Sequence, residues 1–130
     1  MSGAINFRTV VLLLLAVISK ASADQEGEGA QYIERCRAAI NFDGVTTPDT
    51  ITAMHIGFCF GMLDGLRGAN FYLRKANAEI AFCEPEWFDN EDLAKAFVAT
   101  ADKSPQVREL RGALAALAAL SNAFPCRSAK

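Results

Sequence analysis

Residues 47–76 read TPDTITAMHIGFCFGMLDGLRGANFYLRKA. Thr47 can cap the free amides of a helix, Pro48 is pre-shaped for the first helical position, and Asp49 suits the positive end of the dipole. With no later proline, the stretch predicts one long helix ending near Ala76, with Gly68 to Asn70 as the place for a kink or a split. Cys59, Met62, Leu63 and Leu66 give it an apolar side. Gly57, Gly61 and Gly65 recur every four residues on the other, and each costs about 1 kcal/mol against alanine inside a helix. A helix that is apolar on two faces is expected to be central. Close packing against the alanine-rich last helix (Ala113, Ala115, Ala116, Ala118, Ala119) is the reading taken for the glycines, and a homodimer seam is the alternative.

The flanking segments carry the same period. Tyr32, Ile33, Cys36 and Ile40 mark a short amphipathic helix over about 29–40, after a polar, glycine-containing stretch, 24–29, expected to fray. Asp89 or Asn90 opens a third helix with Leu93, Phe97, Thr100 and Ala101 on its apolar face, closed by Lys103. Ser104-Pro105 starts the last helix, which carries Val107, Leu110, Leu114, Leu117 and Leu120. No strand-like alternation and no internal repeat are visible. The fold class predicted is all-α, a compact bundle of about four helices.

Upstream, Arg8, the apolar run 9–19 and Ala21-Ser22-Ala23 have the three parts of a secretory signal. The run is too short to span a bilayer, which needs about 20 apolar residues, so no stable membrane anchor is expected. Residues 1–23 are read as a cleaved signal peptide and 24–130 as the mature helical domain, periplasmic or secreted after cleavage near Ala23. An oxidising compartment makes Cys36, Cys59, Cys83 and Cys126 a disulfide framework. Four cysteines allow three pairings. The tight Ser104-Pro105 turn predicts that the last two helices run antiparallel, which brings Cys83, before one, close to Cys126, after the other, and leaves Cys36 with Cys59.

The chain has 13 basic and 15 acidic residues, a net charge of −2. Loss of Arg8 and Lys20 with the signal makes the mature chain more acidic still. No Lys/Arg cluster interleaved with aromatics is present, so nucleic acid is not an expected partner. His55 is the only histidine, and the cysteine spacings match no zinc pattern, so neither a catalytic residue nor a metal or cofactor is expected. The segment Cys83-Glu84-Pro85-Glu86-Trp87-Phe88-Asp89-Asn90-Glu91-Asp92 puts two large aromatics among five carboxylates. Glu84, Glu86, Trp87, Phe88 and Asp89 are the candidate partner-binding residues, because buried aromatics anchor interfaces and clustered charge steers a basic partner. The alternative is that Trp87 and Phe88 fold inward as a hydrophobic staple.

Three motifs together resemble the type VI secretion amidase immunity proteins of the Tai/Rap kind, over residues 36–126. Phe58-Cys59-Phe60-Gly61-Met62-Leu63-Asp64-Gly65 is similar to that family's cysteine- and glycine-bearing helix, Phe82-Cys83-Glu84-Pro85 to its Cys-x-Pro turn, and Ala115 to Cys126, ending in Ala123-Phe124-Pro125-Cys126, to its closing motif. The sequence departs from the pattern at Met62, where an aromatic is usual, and at Trp87-Phe88-Asp89, where a plainer turn is usual. The resemblance implies a small exported helical protein, without enzymatic activity, that binds a secreted peptidoglycan amidase toxin and occludes its active site; family members often act as dimers, and a homodimer of this chain is carried only as the alternative reading of its glycine face. The runner-up is a small periplasmic chaperone or stress protein with a disulfide-pinned helical fold.

Overall fold

The computed structural model describes residues 27–126. The expected signal peptide lies outside them. Five helices follow in order: α1 (Glu28–Ile40), α2 (Thr50–Lys75), α3 (Asn90–Lys103), α4 (Pro105–Glu109) and α5 (Leu114–Ala123). No strand occurs among the described residues; the one β-like pairing is an isolated antiparallel bridge between Phe82 and Pro125.

The all-α class is as expected, but the last helix is two. Leu110 is extended, and Gly112 takes φ +51°, a conformation that glycine adopts without steric cost. Its turn separates Leu110 from Leu114, and α4 and α5 each pack against α1. The second helix is continuous through Gly68 to Asn70. Its start lies two residues later than Thr47-Pro48 suggests, because the Asp49 side chain is the cap and accepts from the Ile51 and Thr52 amides. At α3 the cap is Asp89, in a reciprocal capping box with Asp92.

The central element is α1, not the long helix. Its buried face, Ile33, Cys36 and Ala39, meets Cys59 and Leu63 of α2, Leu93, Phe97 and Ala101 of α3, and, toward the chain end, Val107, Ala115, Ala119 and Leu120. Nor does residue 29 belong to a frayed end. Gly29 is buried within the first turn of α1, its amide donates to the Leu110 carbonyl at 2.8 Å, and a Cβ there would lie 2.6 Å from the Val107 oxygen. Close backbone approach is therefore made by Gly29 against α4. The α2 glycines do not make it: a Cβ added at Gly57, Gly61, Gly65 or Gly68 meets nothing within 4 Å. Alanines on α5 instead let that helix close on α3, with Ala115, Ala116 and Ala119 fully buried.

Two disulfides tie the layers in the pairing expected. Cys36–Cys59 clamps α1 to α2, and Cys83–Cys126 joins the segment before α3 to the segment after α5. On the surface, Arg37 of α1 donates two hydrogen bonds to Asp102 of α3, at 2.7 and 3.2 Å. That guanidinium holds the Asp102 carboxyl below the usual carboxylate range.

Candidate functional site

The segment 82–90 leaves α2 after a left-handed turn at Asn77, φ 52°, and runs back along the helix it has just left. What holds it there begins with Asn70, the buried polar residue of α2, 3 % exposed. Its amide nitrogen donates to the Phe82 carbonyl at 2.7 Å, and its oxygen accepts from the Phe82 amide at 2.9 Å. A side-chain amide thereby takes the place of a missing strand neighbour, and satisfies both backbone groups of a buried phenylalanine. One residue on, the Cys83 amide donates to the Phe124 carbonyl at 2.8 Å beside the Cys83–Cys126 disulfide.

One turn back along α2, Arg67 holds the middle of the segment. Its guanidinium donates to the Phe88 carbonyl and, at 3.1 Å, to the Asn90 side-chain oxygen, while Nε stands 3.6 Å from a Glu84 carboxylate oxygen. Asn90 in turn donates to Asp64 at 2.8 Å. Asp64, Arg67 and Asn70 are spaced by three residues and share a face of α2, so one helix grips the segment at its start, middle and end. A turn closed by the Phe88 amide on the Pro85 carbonyl then carries Glu86 and Trp87 at its tip.

The five candidate residues consequently part company. Trp87 points to solvent, 81 % exposed, and Glu86 is exposed beside it. Phe88 turns inward, half-buried, with its ring edge-on to Phe124 at 5.4 Å, so the staple reading describes Phe88 and not Trp87. Asp89 spends its carboxylate on capping α3. Glu84, expected on the surface, has only 17 % of its side chain exposed and pairs with Arg67, with its second oxygen buried and without a hydrogen-bond partner. The residues that sequence reasoning missed are Asp64, Arg67 and Asn70. A signal existed: three polar residues at i, i+3 and i+6 of a helix otherwise rich in apolar and glycine positions.

Other chemistry is sparse. His55 is half-buried on α2. Among the described residues no group of three or more His, Cys, Asp or Glu is placed to hold a metal, and no helix is long and apolar enough to cross a membrane. A second ordered loop, 41–49, is built on Asp43, whose carboxylate accepts from the Val45 and Thr46 amides and the Thr46 hydroxyl; those bonds hold its carboxyl below the usual range and leave Val45 89 % exposed.

The disulfide-pinned helical domain thus fixes a short aromatic-acidic turn on its surface. The model of the Rap1a immunity proteins matches residues 28–126, the described domain almost end to end. The chain belongs to the Rap1a immunity protein family. The match begins at the first residue of α1, so Gly29 and its seat on α4 lie within the family domain, ahead of the residues 36–126 over which the sequence motifs run. No curated protein and no solved structure matches the chain. Membership of the Rap1a family makes the partner a secreted toxin, and with two disulfides it fits a protein that works outside the cytoplasm.

Proposed function

We propose that this Rap1a-family protein works in the periplasm, after loss of residues 1–23, and neutralises a peptidoglycan amidase delivered by type VI secretion. It acts by occupancy and catalyses no reaction. The 82–90 segment enters the amidase's active-site cleft, with Trp87 as the anchor and Glu86 as the charge that steers a basic rim. Glu84, Phe88 and Asp89 belong to the same segment as the residues that set its shape. Self-association as a homodimer is part of this proposal, through a different face of the molecule.

The observation that carries the reading is an 81 % exposed tryptophan on a backbone already fixed at Phe82, Cys83, Phe88 and Asn90. A large aromatic left in water is unfavourable for an isolated molecule, and a pre-ordered loop loses little entropy on binding. The test is binding of the purified mature protein to the amidases exported by its own bacterium. Trp87→Ala is expected to weaken the complex by about 2 kcal/mol or more, mostly through faster dissociation. Glu86→Lys is expected mainly to slow association and to reduce its salt dependence. Unchanged affinity and association rate in both variants, with native circular dichroism, would place the contact elsewhere.

A further inference from the structure

The two disulfides sit in different surroundings. Cys36 and Cys59 are both 0 % exposed, sealed between α1 and α2 in the core. Cys83 and Cys126 are half-buried, at the margin of the domain. Exchange begins with a thiolate reaching a sulfur, so an exposed bond is the labile one of a pair. A thiol in solution therefore finds Cys83–Cys126 first.

That bond also has a particular load. It ties the 82–90 segment to residues 124–126, which follow α5, across a separation of 43 residues. Three weaker contacts between the same two stretches lie beside it: the Cys83 amide donates to the Phe124 carbonyl, Phe82 bridges Pro125, and the Phe88 ring stands edge-on to Phe124. Without the cross-link those contacts alone must close a long loop, at a cost in chain entropy. From the other side, Asn70 and Arg67 of α2 hold Phe82, Phe88 and Asn90. The segment is thus gripped between two supports. One is a core helix pinned by the buried Cys36–Cys59 bond, and the other is a short strap whose place depends on the accessible bond. Opening the accessible bond removes the strap and leaves the helix.

We infer that Cys83–Cys126 is a thiol–disulfide exchange site, at which a dithiol frees the turn that carries Trp87 while the helical domain stays folded. A thiolate of the dithiol attacks one sulfur of the bond, forms a mixed disulfide and expels the other cysteine, which takes up a proton. The second thiol of the same donor then attacks the mixed disulfide, closes the donor's own disulfide and releases the remaining cysteine as a thiol. Two electrons and two protons pass to the protein. The reverse reaction, with a disulfide as oxidant, fastens the turn again. Presentation of Trp87 is in this way conditional on the oxidation of one bond. Its consequence for toxin capture rests on the function proposed above; the opening of the latch does not.

The test uses oxidised mature protein and dithiothreitol, without denaturant, with quenching by iodoacetamide at intervals and peptide mapping. Cys83 and Cys126 are expected to be alkylated at least about tenfold faster than Cys36 and Cys59. In the form opened at that bond, circular dichroism stays native and the Gly29 amide, bonded to the Leu110 carbonyl, keeps its protection from hydrogen exchange, whereas the Cys83 amide loses its own. Trp87 is the one tryptophan of the chain, so its emission anisotropy reads the turn directly: it should fall on opening and recover when oxidised glutathione restores the bond. Cys83→Ser with Cys126→Ser should reproduce the low anisotropy without reductant. Reduction of Cys36–Cys59 first or at the same rate, unfolding of the domain together with loss of Cys83–Cys126, or unchanged Trp87 anisotropy in the opened form would each overturn the inference. None of these readouts involves the toxin, and an amidase that ignores the oxidised protein would count against the proposed function alone.

Discussion

Trp87 and Phe88 are neighbours with opposite fates, and Arg67 decides which is which. By taking the Phe88 carbonyl and the Asn90 side chain, its guanidinium fixes the turn so that Phe88 reaches Phe124 while Trp87 faces out. Glu84 supplies the balancing charge from a site where only 17 % of its side chain sees water. Glu84→Lys is therefore expected to place two cations together under the segment. Urea titration should show a loss of about 3 kcal/mol or more, and protection of the 82–90 amides from hydrogen exchange should fall; a variant as stable as wild type would mean that the pair is slack. None of this was visible in the run of carboxylates from Glu84 to Asp92, which reads as one acidic surface. A one-dimensional pattern shows residue type, and the direction of each side chain here is set by Arg67, Asn70 and the disulfide, which are remote in sequence.

At the scale of elements, the periodicities of α1, α2 and α3 were legible because each has a cap and an apolar face that matches the helical repeat. The break between α4 and α5 was not, since the leucines at 110, 114 and 117 keep helical spacing across it and the interruption lies in the backbone, at the extended Leu110 and the positive φ of Gly112. The glycines misled for a related reason. A glycine on a helix signals a close approach but does not guarantee one: at Gly29 the backbone of α4 is the neighbour, while the α2 glycines have nothing within 4 Å of an added Cβ. Two substitutions separate the cases. Gly29→Ala forces a Cβ to within 2.6 Å of the Val107 oxygen, so destabilisation of about 1 to 3 kcal/mol is expected in a urea titration. Gly61→Ala fills open space and should stabilise the monomer by about 0.5 to 1 kcal/mol. Equal effects at the two positions would contradict the packing described.

For the molecule as a whole, the acid limit of stability follows from carboxylates held in their charged form. Asp102 is kept below the usual range by its hydrogen bonds from Arg37, Asp49 by the Thr52 hydroxyl and backbone amides, and Asp43 by the Thr46 and Val45 amides. Because these groups have lower values folded than unfolded, their contribution is fully present above the ordinary aspartate value of about 3.9 and is lost as pH falls through the lower folded values. The urea midpoint should therefore owe no decline to them between pH 7 and about 5, and should drop below about pH 4. Asp102→Asn should lower stability at neutral pH by only about 0.2 to 1 kcal/mol, because the pair is half-exposed, and should shallow the acid limb. A midpoint that falls between pH 7 and 6 would assign the acid limit to a different group.

In the proposed function this Rap1a-family domain silences an amidase by seating Trp87 in its cleft. The measurement that addresses it is peptidoglycan hydrolysis by the amidases exported by the same bacterium, titrated with oxidised mature protein. The account predicts that one of them loses activity in proportion to the protein added, with complete inhibition at equimolar subunits, and that Trp87→Ala shifts the titration to several-fold or greater excess while its circular dichroism stays native. Full activity of every such amidase at a large excess of wild-type protein, or inhibition by Trp87→Ala as strong as by wild type, would contradict it.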